Sequence, residues 1–278
     1  SDKEHIEDIA EYDEKGNLIS DIVPANQDKA TVNLGECTPG TTVYILIRPV
    51  DNAGNIGEEF VQEIEIPDNE SYFDLPYALF ASEEEVQLFC CQADVKGIVY
   101  GNETFRFQGS TLNLLGTAYS AGKLQIAGGD LHIAEKIENA SQIELPNYMT
   151  DILDNMKQNT GIEEIAEYNM ANVTNPTICK TTTRAWCNRV NIFADLVSNG
   201  DISFNANVMT LGYKDPVVIA SENGDITIQA TNVNGNGLIY APNGTVTINV
   251  CDFDYKGSII AKKINIQATY YQHKIEDK

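Results

Sequence analysis

Apolar and polar residues alternate in short runs that recur along most of the chain from residue 78 onward. Each run follows the pattern apolar–x–apolar–x–small, so successive side chains point to opposite faces of a short strand and the apolar ones share a face. Successive runs are separated by 19 residues twice, and nearer the C-terminus by 24, 20 and 18 residues. The copies are VQLFC (86–90), FRFQG (105–109), LQIAG (124–128), ISFNA (202–206), ITIQA (226–230), VTINV (246–250) and INIQA (264–268). Strands this short bury an apolar face only by stacking on their neighbours, which predicts a parallel β-helix of about 18–24 residues per coil.

Glycine and asparagine mark the places where each coil should turn. A glycine and an apolar pair precede the strand in GLIYAPNGTVTI (237–248) and again in GSIIAKKINI (257–266). Asn223–Gly224 and Asn243–Gly244 hold equivalent positions, where we expect corners. The alternating apolar residues should fill a continuous interior: Phe105, Phe107, Leu124, Ile126, Ile226, Ile228, Val246, Ile248, Ile264 and Ile266. Cys90 falls on the repeat position of Val250, so we expect its side chain to be buried.

The strand pattern gives way to a helical one between residues 141 and 189. NYMTDILDNMKQ (147–158) places four apolar side chains on one helical face, at Met149, Ile152, Leu153 and Met156. Asn147 is a suitable N-cap for this helix. IEEIAEYNM (162–170) fits a second short helix, and a Thr/Asn-rich loop follows it. We therefore predict a helical and loop insert over about residues 141–189, packed on the side of the β-helix.

Residues 1–68 have a different strand pattern. KATVNL (29–34), TTVYILIRPV (41–50) and EEFVQEIEI (58–66) each alternate, and DNAGN (51–55) is a turn that would join the last two in a hairpin. PDNES (67–71) has the composition of a linker. We predict one β module over residues 1–68 and the β-helix over residues 72–278.

Composition restricts the partners. The chain has 278 residues and a formal charge of −23, with a pI near 4.3. This charge repels phosphate backbones and anionic lipid, so we expect neither nucleic-acid binding nor binding to a lipid surface. No apolar run approaches the roughly 20 residues of a membrane helix. The sequence opens at Ser1 without a signal peptide, and we expect an exported protein whose leader is missing from it.

The six cysteines do not suggest a metal site. They show no CxxC spacing and no paired histidines, which argues against zinc. Cys179 and Cys187 flank a polar segment and are spaced to close a short disulfide loop, or they remain thiols. We assign no metal ligands from the cysteines.

Two parts of the chain resemble known families. TTVYILIRPVDNAGNIGE (41–58) resembles the last hairpin of fibronectin type III and bacterial Ig-like modules. From about residue 78 to 268, the coils resemble bactofilins, and also surface proteins of Gram-positive gut anaerobes that carry GxIYAPNGxVxI and GxIIAxxIxI coils. The resemblance implies a right-handed β-helix, an extracellular or cell-surface location, and self-association of the bactofilin kind.

The candidate binding residues are acidic. Asp252 and Asp254 alternate with Phe253 and Tyr255, so both carboxylates should project from one outer face, with Asp225 one coil earlier. These three residues would form a weak strip for a divalent cation such as calcium or for a glycan, unless they belong to an ordinary solvated wall.

Three tyrosines share one repeat position. Tyr100, Tyr119 and Tyr240 each follow a glycine and two residues, the second of them small or apolar. On an outer wall they would form a ladder that stacks sugar rings, whereas pointing inward they would belong to the core.

Catalytic chemistry is poorly represented. Many β-helices are polysaccharide lyases or hydrolases, which need a base beside carboxylates or two carboxyls at a fixed separation. The chain has four arginines in no such pattern, and His132 should face solvent. We assign no catalytic residue and no resident cofactor. The preferred function is a non-catalytic extracellular or cell-surface adhesion or structural module that contacts cell-wall glycans, host glycans or surface proteins. The alternatives are a carbohydrate-active enzyme and a self-assembling bactofilin-like scaffold.

Overall fold

The computed structural model describes residues 42–47, 60–65, 75–158, 162–166, 171–212 and 215–275. The chain separates into two units, Ser1–Glu70 and Ser71–Lys278. In the first unit, β1 (Thr42–Ile47) and β2 (Phe60–Glu65) pair antiparallel, with Thr42 opposite Glu65. The predicted strand KATVNL and the DNAGN turn lie outside the described residues, so the Ig-like module stays a prediction.

The second unit is mainly β, and its strands pair parallel in one continuous sheet. Among the described residues it has one α-helix, α1 (Met149–Gln158). Its strands are β3 (Tyr77–Ala81), β4 (Glu85–Lys96), β5 (Ile98–Gly101), β6 (Thr104–Ser120), β7 (Leu124–Ala127), β8 (Asp130–Ile137), β9 (Glu163–Ile165), β10 (Asn172–Val173), β11 (Thr177–Cys179), β12 (Thr183–Ile192), β13 (Leu196–Ser198), β14 (Ile202–Leu211), β15 (Val217–Ser221) and β16 (Ile226–Lys274).

The strands stack at the interval seen in the sequence. Val86 of β4 lies opposite Phe105 of β6, and Phe105 lies opposite Leu124 of β7. Side chains alternate between a buried interior and the outside, as a strand period of two requires. The predicted interior residues are buried, except that Leu124 and Ile126 are partly exposed because β7 lies at the end of the stack.

The order of strands in space differs from their order in the chain. One part of β16 pairs with β14 and β15, and a later part pairs with β3 and β4. Ile264 of β16 lies opposite Val86, and Ile259 lies opposite Leu79. The first strands of the unit therefore lie in the middle of the stack. From β3 the strands extend to one end at β7 and β8, and the chain begins a second series at β9 that leads back to β16.

Residues 138–158, which we call the return segment, join these two series. The predicted helix is present as α1, and Asn147 caps it by accepting a hydrogen bond from the Met149 backbone N–H at 3.0 Å. The predicted insert is too long, however, because strands resume at Glu163. The segment 163–165, expected to be helical, is β9 and pairs with β11. The expected loop contains β10, β11 and the first part of β12, which pairs with β14. Pairing with a neighbouring strand outweighs local helix propensity here.

The return segment explains why some strands are apolar at every position. Ile239 and Ala241 face the interior, whereas Leu238 and Tyr240 face outward and pack beneath α1. The apolar face of α1 supplies Met149, Ile152 and Met156 to this second cluster. Strands covered on both faces carry continuous apolar runs, as in LIYA, whereas strands with one solvated face alternate, as in TVTI.

The repeated glycines occupy positions that a side chain cannot share. Gly237 and Gly257 have φ angles of +138° and +127°. A Cβ added to Gly257 would lie 1.9 Å from the Gly237 carbonyl oxygen, and one added to Gly237 would lie 1.9 Å from the Val217 carbonyl oxygen. The glycines thus allow successive corners to stack in contact.

Candidate functional site

The predicted carboxylates Asp252 and Asp254 lie together on the outer face of β16. Both side chains are exposed, and they line a shallow groove of about 470 Å³ with Tyr270 and Gln272. Tyr270 is 54% exposed. The groove thus combines two acidic groups with one accessible aromatic ring.

Asp225, the third predicted member, lies away from this groove. Its Oδ1 accepts a hydrogen bond from the Thr245 backbone N–H at 2.7 Å, and Asp201 Oδ1 accepts one from the Asp225 backbone N–H at 2.9 Å. Asp195 does the same for the Val218 N–H at 2.8 Å, and burial raises the pKa of its carboxyl group. These aspartates satisfy backbone donors between stacked corners, so the three predicted residues do not form one strip.

The acidic groups that the structure describes do not converge as a metal site would require. Among the described residues, no group of three or more His, Cys, Asp or Glu side chains is arranged to hold a metal ion. Asp252 and Asp254 supply two carboxylates from a single strand. A lyase that binds calcium beside its base needs more protein oxygen ligands than this pair supplies.

The two described histidines occupy opposite environments. His132 is exposed, as expected, and its Nε2 lies 3.0 Å from Asp130 Oδ1. His273 is fully buried, and desolvation lowers its pKa to about 4. Its Nε2 lies 2.9 Å from the Gly257 carbonyl oxygen, and its Nδ1 lies 2.6 Å from the Tyr271 hydroxyl. Because a carbonyl only accepts, Nε2 carries the proton and Nδ1 accepts from Tyr271. This neutral imidazole is part of the core.

Cys179 and Cys187 do not form the disulfide that their spacing allowed. Cys179 lies on β11 and Cys187 on β12, and both are free thiols. The Cys179 thiol donates to the Thr182 carbonyl oxygen at 3.1 Å, while the Cys187 thiol donates to the Arg189 carbonyl oxygen at 2.9 Å. The two sulfurs therefore bond to separate parts of the backbone. Cys90 is buried as predicted, and desolvation, followed by the nearby Cys91, raises its pKa to about 12.

The tyrosines at the shared repeat position belong to the protein core. Tyr100 and Tyr240 are almost fully buried and Tyr119 is partly buried, all on the side covered by the return segment. The Tyr100 hydroxyl donates to the Ser141 carbonyl oxygen. The Tyr240 hydroxyl accepts from the Tyr148 N–H at 3.1 Å and donates to Asn147 Oδ1 at 3.3 Å. These residues attach the return segment and present no ladder for sugar rings.

The outside of the stack also carries an uncharged face that was not predicted from the sequence. It contains a column that we call the amide strip, formed by Asn205, Gln229, Asn249 and Gln267. Asn205 pairs in register with Gln229, and its Nδ2 donates to Gln229 Oε1 at 3.2 Å. Asn249 and Gln267 line a single shallow cavity. The parallel outward column is also uncharged, with Ser203, Thr227, Thr247 and Asn265.

Aromatic residues lie at both ends of the amide strip. Trp186 pairs in register with Asn205 at one end, and Phe89 pairs with Gln267 at the other. Trp186 is 75% exposed. The signal in the sequence was the absence of charge at the second and fourth positions of four consecutive runs. Trp186 could not be recognised as part of this column, because the sequence pattern assigned its segment to a loop.

Comparisons with known proteins add no assignment to these surfaces. No protein-family model, curated protein or solved structure matches the chain. Among the described residues, no helix has the length and apolar character needed to span a membrane.

Proposed function

We propose that the second unit is a right-handed parallel β-helix that serves as a non-catalytic adhesion or structural module outside the cell or at its surface. Parallel pairing at the repeat interval and a continuous apolar interior support the β-helix. The handedness and the location follow from the resemblance to bactofilins and to surface proteins of gut anaerobes. A stack of this kind gives a rigid body whose outer faces are available for contact.

The observation that carries this proposal is the amide strip. Its four side chains are uncharged, on a chain whose formal charge is −23. Side-chain amides and hydroxyls can bind a partner through hydrogen bonds, but they offer neither a base nor a nucleophile with an activating partner. Within the part of the chain that the structure describes, no third His, Cys, Asp or Glu joins Asp252 and Asp254 to make a metal-binding group.

Cosedimentation and product release together test the proposal. The purified protein is incubated with insoluble bacterial cell walls and with immobilised host-surface glycoproteins, and bound protein is measured after washing. In parallel, soluble polysaccharides are incubated with the protein and calcium, and new reducing ends and unsaturated products are assayed. We expect retention on at least one surface without product. Product that accumulates in proportion to protein concentration would favour the carbohydrate-active alternative.

A second candidate function, end-to-end assembly of the bactofilin kind, is favoured by the β7–β8 end of the stack. The interior side chains Leu124, Ile126, Leu131 and Ile133 are only partly buried there. Light scattering coupled to size-exclusion chromatography tests it. Assembly should increase with protein concentration and be lost in Leu131→Lys, and a monomer at every concentration would contradict it.

A further inference from the structure

We propose that the amide strip binds a single chain of an uncharged polysaccharide, laid along the stacking direction, with one sugar ring on the indole of Trp186. The inference rests on the adhesion function proposed above, and it names the class of ligand and the surface. The acidic groove at Asp252 and Asp254 is a different surface and takes no part in it.

The spacing of the amide strip suits an extended sugar chain. Neighbouring strands lie about 4.8 Å apart, so the five steps from Trp186 to Phe89 span about 24 Å. The intervening column presents one amide per coil, at Asn205, Gln229, Asn249 and Gln267. This interval is close to the length of one sugar residue in an extended polysaccharide, so successive sugars would meet successive amides.

The side chains of the strip match hydroxyl groups. Each amide offers a carbonyl acceptor and an NH₂ donor, and a sugar hydroxyl needs both roles. The hydrogen bond from Asn205 to Gln229 aligns their amides along the column. Thr227 and Thr247 of the adjacent column add hydroxyls beside the amides.

Trp186 provides the apolar part of the site. An indole that is 75% exposed gains little from the fold, and large exposed aromatic rings commonly mark interaction surfaces. It borders a shallow cavity of about 440 Å³ that is also lined by Asn188, Asn205 and Asn207. At the other end, Phe89 borders a cavity of about 460 Å³ with Asn249 and Gln267. The C–H face of a sugar ring fits against such rings while its hydroxyls reach the amides.

Charge selects a neutral polysaccharide. The eight outward residues of the two columns include no acid and no base. Arg184 is exposed at the Trp186 end of the adjacent column and offers one cation, but the net charge of the chain repels an acidic polysaccharide. Uronate polymers are therefore expected to bind more weakly than neutral glucans, mannans or galactans.

The only tryptophan of the chain is Trp186, so its fluorescence reports directly on the strip. The full chain is titrated with neutral β-glucan, mannan and galactan, and with polygalacturonate as the charged probe. We expect a blue shift of the emission with at least one neutral polymer and little change with polygalacturonate. A response to polygalacturonate as strong as to the neutral polymers would overturn the proposal.

Affinity electrophoresis in gels that contain the bound polymer tests the residues. Trp186→Ala should weaken binding about tenfold, which is the loss expected from removing one good stacking contact. Gln229→Glu should also weaken binding, because it replaces the NH₂ donor with a charged acceptor. Tyr270→Ala is the matched control, because it removes an exposed aromatic ring from the neighbouring groove. Trp186, Gln229 and Tyr270 are all exposed, so circular dichroism should show that the three variants fold like the wild type.

The failing outcomes separate this inference from the proposed function. If Tyr270→Ala abolishes binding and Trp186→Ala does not, the groove is the site and the amide strip is not. If Trp186→Ala instead abolishes self-association in light scattering, the strip binds a second copy and the inference is wrong. If no neutral polymer binds while the protein still sediments with cell walls, the inference fails and the adhesion function stands.

Discussion

Replacing His273 with glutamine should flatten the dependence of stability on pH below neutrality. The buried imidazole of His273 is neutral, with its pKa lowered from 6.5 to about 4, mainly by desolvation. Phe253, Tyr255 and Tyr271 surround the ring, and none of them supplies a negative charge near neutral pH. The unfolded chain therefore binds a proton at a higher pH than the folded chain does.

The sign and size follow from this difference. Stability from His273 is complete above the unfolded pKa of about 6.5, and it is lost as the pH falls toward the folded pKa. Relative to pH 7, the loss is about 2 kcal/mol at pH 5 and about 3 kcal/mol at pH 4. Glutamine can donate to the Gly257 carbonyl oxygen and accept from Tyr271, but it does not titrate.

Urea unfolding followed by far-ultraviolet circular dichroism at pH 7, 6, 5 and 4 measures the effect. Aspartates and glutamates also titrate in this range, so the informative quantity is the difference between the wild-type and His273→Gln curves. His132→Gln is the control, because His132 is exposed and its variant should follow the wild type. Parallel curves for wild type and His273→Gln would refute the reasoning.

Three further predictions concern the corners, the return segment and the thiols. In thermal melts, Gly257→Ala should destabilise the protein by about 2 kcal/mol or more, because the added Cβ would meet backbone atoms at a positive φ. Gly129→Ala should have little effect in the same assay, because the nearest atom to its added Cβ lies at 3.4 Å. Ile152→Ala should cost about 2–5 kcal/mol by leaving a cavity beneath α1, as measured by urea unfolding. Iodoacetamide at about pH 8 should modify exposed Cys91 and spare buried Cys90, whose pKa is about 12; equal modification by mass spectrometry would contradict its burial.

The sequence predicted which residues form strands better than it predicted which strands pair with each other. Alternation identifies which side chains of a run point inward, and Phe105, Ile226 and Ile264 are buried as expected. It does not identify which copy lies beside which, because every copy presents a similar edge. The pairing of β16 with β3 and β4 was therefore missed, although it decides the order of the whole stack.

Local pattern also failed where pairing decides the structure. Residues 163–165 carry good helix formers but pair with β11 as a strand. For the candidate site, the outward position of Asp252 and Asp254 follows from simple alternation. The role of Asp225 at a corner depends on a backbone N–H from the next repeat, which no single-strand pattern contains.

The position of β16 has a consequence for the order in which the protein can fold during synthesis. The ribosome releases β3 to β8 first, yet the strand that covers β3 and β4 on their other side belongs to β16, which emerges after every strand of the second series. Until then, the strand edges at Leu79 in β3 and Val86 in β4 have no partner on that side. Closing the stack joins residues that are far apart in the chain. Contacts of such long range slow folding and leave strand edges open to other chains. We therefore expect a nascent chain that stops before residue 257 to be more prone to aggregation than one that stops after residue 275.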